Sequence, residues 1–301
     1  MSFGERRTDL AVEARELWRR SASDTDALAG VEAFESMEDG FGVTTVNVLN
    51  EEGQRKLCKP IGEYVTVEIG ALLRREEDAF ARAVGVVANH IRSLLDLQGE
   101  ERILIVGLGN SSITADAIGP EALRYIFVTR HLKQQMENKF PGFRDVSALR
   151  SGVLGTTGME SSELVYAVAD KLKPDRVIAL DALASCSMAR LCRTVQLTDT
   201  GIVPGSGVGN HRAPLNRETL GVPVLAVGVP TVVNAATLAM ELAQQAGAKE
   251  LDASLFGEAG DMIVTPRDID SRVHDAAKLI GYALNIAVHD GLTADDVDMF
   301  L

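Results

Sequence analysis

Cysteine is scarce in this chain: Cys58, Cys186 and Cys192 are the only three in 301 residues. An odd count with no CxxC pair fits neither a structural zinc ribbon nor a secreted disulfide framework, and a reducing cytoplasm is the expected home. Basic side chains are also few, 30 against 43 acidic ones, for a formal charge of −13. Clustered Lys and Arg are what offset phosphate charge, so direct nucleic-acid binding and an anionic membrane surface are not expected. The five histidines form no HExxH or other paired ligand spacing, and there is no GxSxG elbow and no GxxxxGK[ST] loop. The first twenty residues carry Glu5, Arg6, Arg7, Asp9 and Glu13 in place of an apolar run, so no signal peptide is expected. One long uncharged stretch, Thr219 to Met240, is broken by Pro223, Pro230 and Asn234, and reads as a strand, a turn and a helix start, with no membrane span.

What remains is the composition of an ordinary globular chain, 46% hydrophobic and 24% charged, which excludes collagen-like and disordered classes. A short helix is expected around Leu10, Ala14 and Leu17. From Gly42 to Glu68 the period becomes two, with Val43, Thr45 and Asn47 alternating against Thr44, Val46 and Val48, and Tyr64–Glu68 reading as a further extended run. Phe80, Val84, Val87, Ile91, Leu94 and Leu95 then recur at helical spacing. The most legible segment is Arg102–Gly107, an apolar run opening into a glycine turn, as fully buried parallel strands do. Similar runs lie at Arg176–Leu180, Thr194–Leu197 and Val222–Gly228, with helical patterns at Pro120–Met136, Met159–Lys171, Val232–Gln245 and Arg272–Val288. This alternation predicts a three-layer α/β/α sandwich with a mostly parallel sheet over residues 76–301, and a small N-terminal helix and β-rich segment, 8–75, packed on it as part of one domain.

Ligands of an open parallel sheet gather beyond the carboxyl ends of its strands. Past the Ile103–Val106 run lies the loop Gly107–Pro120 with Asn110, Ser111 and Asp116, and past Val177–Leu180 lies Asp181. Two carboxylates in a partly dry cleft share a proton and titrate as a pair, so that one serves as base to a water while the other is an acid. The plainer alternative is that Asp116 caps a helix and Asp181 caps a turn into a helix over Ala182–Ala189, on which Cys186 and Cys192 would sit. His131, Thr156, Asp199 and His211 are further candidates for the cleft lining; Asp199–Arg212 is too glycine-rich for a core element and reads as a shaped loop.

The stretches Arg7–Ala14, Gly107–Pro120, Gly155–Glu160, Ile178–Ser185 and Asp199–His211 resemble the germination protease family of endospore-forming bacteria, and the resemblance runs over nearly the whole chain. It implies an endopeptidase that degrades small acid-soluble spore proteins, a cytosolic enzyme of the spore core, assembled as a homotetramer and made as a zymogen that trims its own N-terminus. It also implies a fold similar to the hydrogenase-maturation peptidases and an atypical aspartic mechanism whose two aspartates match Asp116 and Asp181. No cofactor is implied. Residues 1–7 correspond to the propeptide, with cleavage between Arg7 and Thr8, and the peptidase domain to 8–301. Two other readings stand beside this one: a metal-dependent peptidase or amidohydrolase with Asp116, Asp181 and His131 or His211 as ligands, and a non-catalytic binding protein whose contact surface is the glycine-rich loop.

Overall fold

The computed structural model describes residues 8–21, 28–74, 76–136, 140–206, 212–247 and 262–301. Nine strands form one sheet: β1 (Val31–Glu38), β2 (Phe41–Val48), β3 (Gly62–Glu68), β4 (Ile103–Leu108), β5 (Val146–Gly152), β6 (Arg176–Ser185), β7 (Thr194–Thr198), β8 (Val224–Asn234) and β9 (Ile263–Val264). Their order is β1-β2-β3-β7-β8-β6-β4-β5, with β9 against β8. The block β8-β6-β4-β5 is parallel, as the apolar runs of β4, β6 and β8 predict, while β1, β2, β3 and β7, the last from the Thr194–Leu197 run, join it antiparallel, so the sheet is mixed. The N-terminal β-rich segment is therefore a continuation of the main sheet, tied on by β3 and β7.

Helices cover both faces. One carries Ala79–Leu95, Ile118–Ala122 and Ile269–Val288, packed over Ile103, Ile105, Ile178, Leu180 and Val227. On the other, Ser161–Leu172 packs over Leu104, Val106, Val177 and Ala179. The N-terminal helix Ala11–Ser21 sits over Val46, Val48 and Tyr64. Even-numbered residues of β6 thus face the first layer and odd-numbered ones the second, the period-two alternation of a strand. Three strands lie outside the sequence expectation. β5, at the sheet edge, is buried only at Val146 and Ser151, β1 is exposed along most of its length, and β9 is two residues long, so none presents a continuous apolar run. Between β2 and β3 the chain forms the helix Glu51–Leu57, capped by Asn50, whose Oδ1 accepts from the amides of Glu52 and Gly53. The helical pattern at Pro120–Met136 divides into Ile118–Ala122, one 3-10 turn and Arg130–Gln135. Among the described residues no helix is long and apolar enough to cross a membrane, and Thr219–Met240 becomes a turn, β8 and the start of helix Ala235–Gln245.

Candidate active site

Parallel β4 and β6 pair as far as Gly107 and Leu180, where β4 ends and β6 runs on. Directly above that point, Gly119 packs so closely that a Cβ there would stand 2.4 Å from Leu108 O and 2.5 Å from Leu180 O. Only a residue without a side chain lets the Gly107–Pro120 loop descend this far onto the strands. The loop is pinned from the other side by Thr231 Oγ1, which donates to Ala115 O at 2.6 Å. The descent places Asp116, in the single 3-10 turn Thr114–Asp116, beyond the end of β4. The Asn110 amide donates to Asp116 Oδ2 at 2.8 Å, and Asn110 Oδ1 accepts from Ser112 N at 3.0 Å, so Asn110 organises the loop that presents Asp116. Ser111 is an exposed member of the same turn.

Asp181 does not lie past a strand end. β6 runs on through it to Ser185, paired with β8, with Asp181 opposite Gly228. The expected helix over Ala182–Ala189 is absent because the backbone of 182–185 is taken up by that ladder; Cys192 is buried in the turn before β7. Asp181 is 6% exposed, and its Oδ1 accepts from the Ala182 amide at 2.9 Å. Burial is the first cause of a carboxyl held well above the usual carboxylate range, and the charges of Asp116 and Asp9 push it the same way, against Ala182 N–H and Arg212. Asp116 is raised too, chiefly by burial, with the Asn110 amide and Arg212 opposing. The two aspartates expected to meet are therefore electrostatically coupled, and each favours a proton more than a free carboxyl does.

Sequence reasoning singled out no third carboxylate, yet Asp9 is one. Its amide donates to Ala184 O at 3.0 Å, its Oδ2 accepts from Ala184 N at 2.8 Å, and its Oδ1 accepts from Ser206 Oγ at 2.9 Å. The segment Thr8–Val12 is thereby laid against β6, with Leu10 and Val12 packed on Leu183. Buried Glu13 locks it by accepting from Thr8 Oγ1, Ser185 Oγ and the Cys186 amide. The signal was present in the Arg7–Ala14 stretch, whose polar positions, Asp9 and Glu13, bind the strand that carries Asp181. Arg212 was also not singled out; it pairs with Glu160 at 3.6 Å and is the cation that opposes the proton affinity of both aspartates.

The other candidates separate. Thr156 stands at the carboxyl end of β5, on the same rim, but its hydroxyl closes a local turn by donating to Val153 O at 3.0 Å. His131 is exposed on the Arg130–Gln135 helix, which starts from Thr129, bonded to Val146 at the amino end of β5, and so lies at the opposite edge of the sheet from Asp116. Asp199 follows β7, which runs antiparallel to β8, so it too reaches the far edge, where its Oδ1 accepts from the Glu63 amide at 2.8 Å at the start of β3. His211 and Arg7 lie outside the described residues, and Thr8 stands at the start of the docked segment. The glycine-rich loop nevertheless reaches the site, through Ser206 and Arg212. Among the described residues no group of three or more His, Cys, Asp or Glu side chains is arranged to hold a metal ion.

A family model described as germination protease matches residues 11–246. The chain is 41% identical to the germination protease of Caldanaerobacter subterraneus subsp. tengcongensis, with 98% of each chain covered. It is 39% identical to that of Clostridium perfringens (strain 13 / Type A), again over 98% of each, and 34% identical to that of Bacillus cereus, over 98% of this chain and 96% of the relative. Among solved structures, a [NiFe] hydrogenase maturation protease HycI from Thermococcus kodakarensis KOD1 matches at 21% identity and a TM-score of 0.36, covering 65% of this chain and 98% of that one. With the family model and these full-length relatives in agreement, the chain belongs to the germination protease family.

Proposed function

We propose that the chain is an endopeptidase that initiates degradation of small acid-soluble spore proteins at germination, with water activated by the pair Asp116 and Asp181. The observation that carries this reading is the coupling of Asp181, buried within β6, to Asp116 in the loop beyond β4. A shared proton leaves one carboxylate to take a proton from water and keeps one carboxyl to protonate the leaving nitrogen. The names of the relatives support a protease of germination, and the coupled carboxyls at the site support an aspartic mechanism.

The remaining parts of the reading follow from the same resemblance. The enzyme is made as a zymogen, loses residues 1–7 by cleavage between Arg7 and Thr8, and works as a homotetramer in the cytoplasm of the spore core. Residues 8–301 act as one peptidase domain, supported by the single sheet that links 31–68 to the rest. Its substrate is a flexible protein released from DNA, and its own charge of −13 keeps it off the nucleic acid.

The test is incubation of the purified chain, Asp116→Asn and Asp181→Asn with a small acid-soluble spore protein, read by mass spectrometry for substrate cuts and for trimming of the enzyme's start. The parent is expected to cut in the presence of a chelator, and each variant to lose at least about 10³-fold in turnover while keeping the parent's circular dichroism. Near-parental turnover by either variant overturns the pair, and loss of activity on chelation restores the metal-dependent alternative.

A further inference from the structure

Asp181 is an odd-numbered residue of β6, so its side chain lies on the face that carries Val177 and Ala179 under helix Ser161–Leu172. A loop covers the same face. Ile202 and Leu215 close its base with paired backbone hydrogen bonds of 3.0 and 2.8 Å, and both pack on that core. One arm sends Ser206 to Asp9, and the other brings Arg212 to Glu160, the residue just before the helix, at 3.6 Å. Tyr166 of the helix donates to Pro214 O at 2.9 Å and holds this second arm down. Glu160 stands at the rim that carries Asp116. Its neighbour Ser161 donates to Gly152 O at 2.9 Å, and Gly152 pairs with Leu108, the last residue of β4. Gly109 follows, and a Cβ there would stand 3.0 Å from Asp116 Oδ1. Arg212 is therefore anchored on the face of Asp181 and at the end of β4 where Asp116 is seated.

Among the described residues Arg212 makes this one ion pair and no hydrogen bond, and Glu160 Oε2 is itself buried without a donor. A guanidinium carries five N–H donors and keeps its charge at any working pH. Hydrolysis by the aspartate pair needs such a group: one member serves the water and the other the leaving nitrogen, so charge developing on the carbonyl oxygen requires a third. We propose that Arg212 binds the carbonyl oxygen under attack, and that Glu160 is the positioning residue that aims it. This rests on the hydrolytic reading of Asp116 and Asp181. The ionised carboxylate takes a proton from water as the water oxygen bonds to the carbonyl carbon, and the π pair moves onto the oxygen held by Arg212. When that pair returns, the C–N bond breaks and the nitrogen takes the proton from the carboxyl. One water is consumed, one carboxyl and one amino terminus are formed, and the pair keeps a single proton, now on its other member.

The surroundings agree with such a role. Asp116 and Arg212 are both partly exposed, so a peptide arriving over the rim meets them together, with Asp181 buried beneath. The guanidinium's charge acts on both carboxyls, against the proton affinity that burial gives them. Glu160 competes with the aspartates for Arg212, which keeps the guanidinium from closing on them as an ion pair and leaves its terminal N–H groups for the substrate.

The experiment measures kcat and KM against pH on the spore-protein substrate for the full chain, Arg212→Gln, Arg212→Lys, Glu160→Gln and the double variant Glu160→Gln/Arg212→Gln. Arg212→Gln is expected to lower kcat at its best pH by roughly 10²-fold with KM changed by less than about threefold, and Arg212→Lys to recover about tenfold of the loss. Glu160→Gln should lower kcat by about tenfold in the parent and by less than about twofold in Arg212→Gln, since it acts through Arg212. A group that only tuned the acidity of the pair would shift the pH profile upward and leave the best kcat within about threefold of the parent; that result, or a rise in KM alone, overturns the assignment. If Arg212→Gln does not fold, Arg212→Lys decides, and a best kcat within about threefold of the parent overturns it. Equal losses from Glu160→Gln in the two backgrounds remove its positioning role. Asp181→Asn, run alongside, separates the failures: inactive Asp181→Asn with normal Arg212→Gln sinks only the carbonyl contact, and active Asp181→Asn sinks the hydrolytic reading itself.

Discussion

His289 gives a stability signature that can be worked from the structure. It caps the Ile269–Val288 helix, is 1% exposed, and lies between Phe127 and Phe143, with ring centroids at 6.5 and 4.7 Å. Its Nδ1 accepts from the Arg144 amide at 3.2 Å, which leaves the ring neutral. Burial, with the charge of Arg144 next, lowers its pKa from 6.5 to about 4, while the Phe127 backbone and Asp290 oppose. The unfolded chain therefore binds a proton that the folded chain refuses. Stability from this residue is full above about pH 6.5 and is lost as pH falls toward about 4, up to about 3.4 kcal/mol in all and about 2 kcal/mol of it between pH 7 and 5. Urea denaturation at the two pH values, for the parent and for His289→Asn, isolates the contribution. The Asn variant keeps an acceptor for Arg144 N and starts from a lower stability at pH 7, through lost ring packing, but should lose about 2 kcal/mol less than the parent on acidification. Equal losses in the two proteins would refute the reasoning.

Asp181 predicts the opposite sign. Its folded carboxyl is held well above the ordinary range, so an ionised Asp181 weakens the fold at high pH, and the penalty fades as pH falls and the group is protonated. Asp181→Asn should melt a few degrees above the parent at pH 8, roughly 2–4 °C for each kcal/mol relieved, with the gain shrinking toward pH 5; a lower melting temperature at pH 8 would count against the buried charge. Gly119→Ala forces a methyl group onto Leu108 O and Leu180 O and should cost at least about 1–3 kcal/mol by urea denaturation and abolish turnover together, since the same contact seats Asp116. An unchanged urea midpoint would show that the loop does not depend on that approach.

The parallel strands were legible because a strand buried on both faces is written as an unbroken apolar run, and Ile103–Val106 and Val177–Leu180 are such runs. Asp116 was reachable for a related reason, since it follows one of those runs; the same carboxyl-end rule put Asp181 past the end of β6, whereas β6 runs on through it to Ser185. β1 and β5 were not legible, since edge strands half open to water need no such composition. Nor does composition tell a reader where an antiparallel strand delivers its next residue. The direction of β7 sends Asp199 to the far edge of the sheet, and the docking of Arg130–Gln135 does the same for His131.

By itself, then, the order of residues determined the layered α/β class and singled out Asp116 and Asp181 as candidates, because both depend on short runs and their immediate neighbours. Tertiary structure alone decided that Asp9 and Arg212 act on them, Asp9 raising the proton affinity of Asp181 and Arg212 opposing that of both. Those side chains come from the N-terminal segment and from the loop after β7, and Asp9 is held at β6 by its bonds to Ala184. Strand order and register are set by packing of the whole sheet, which no local pattern in the chain encodes.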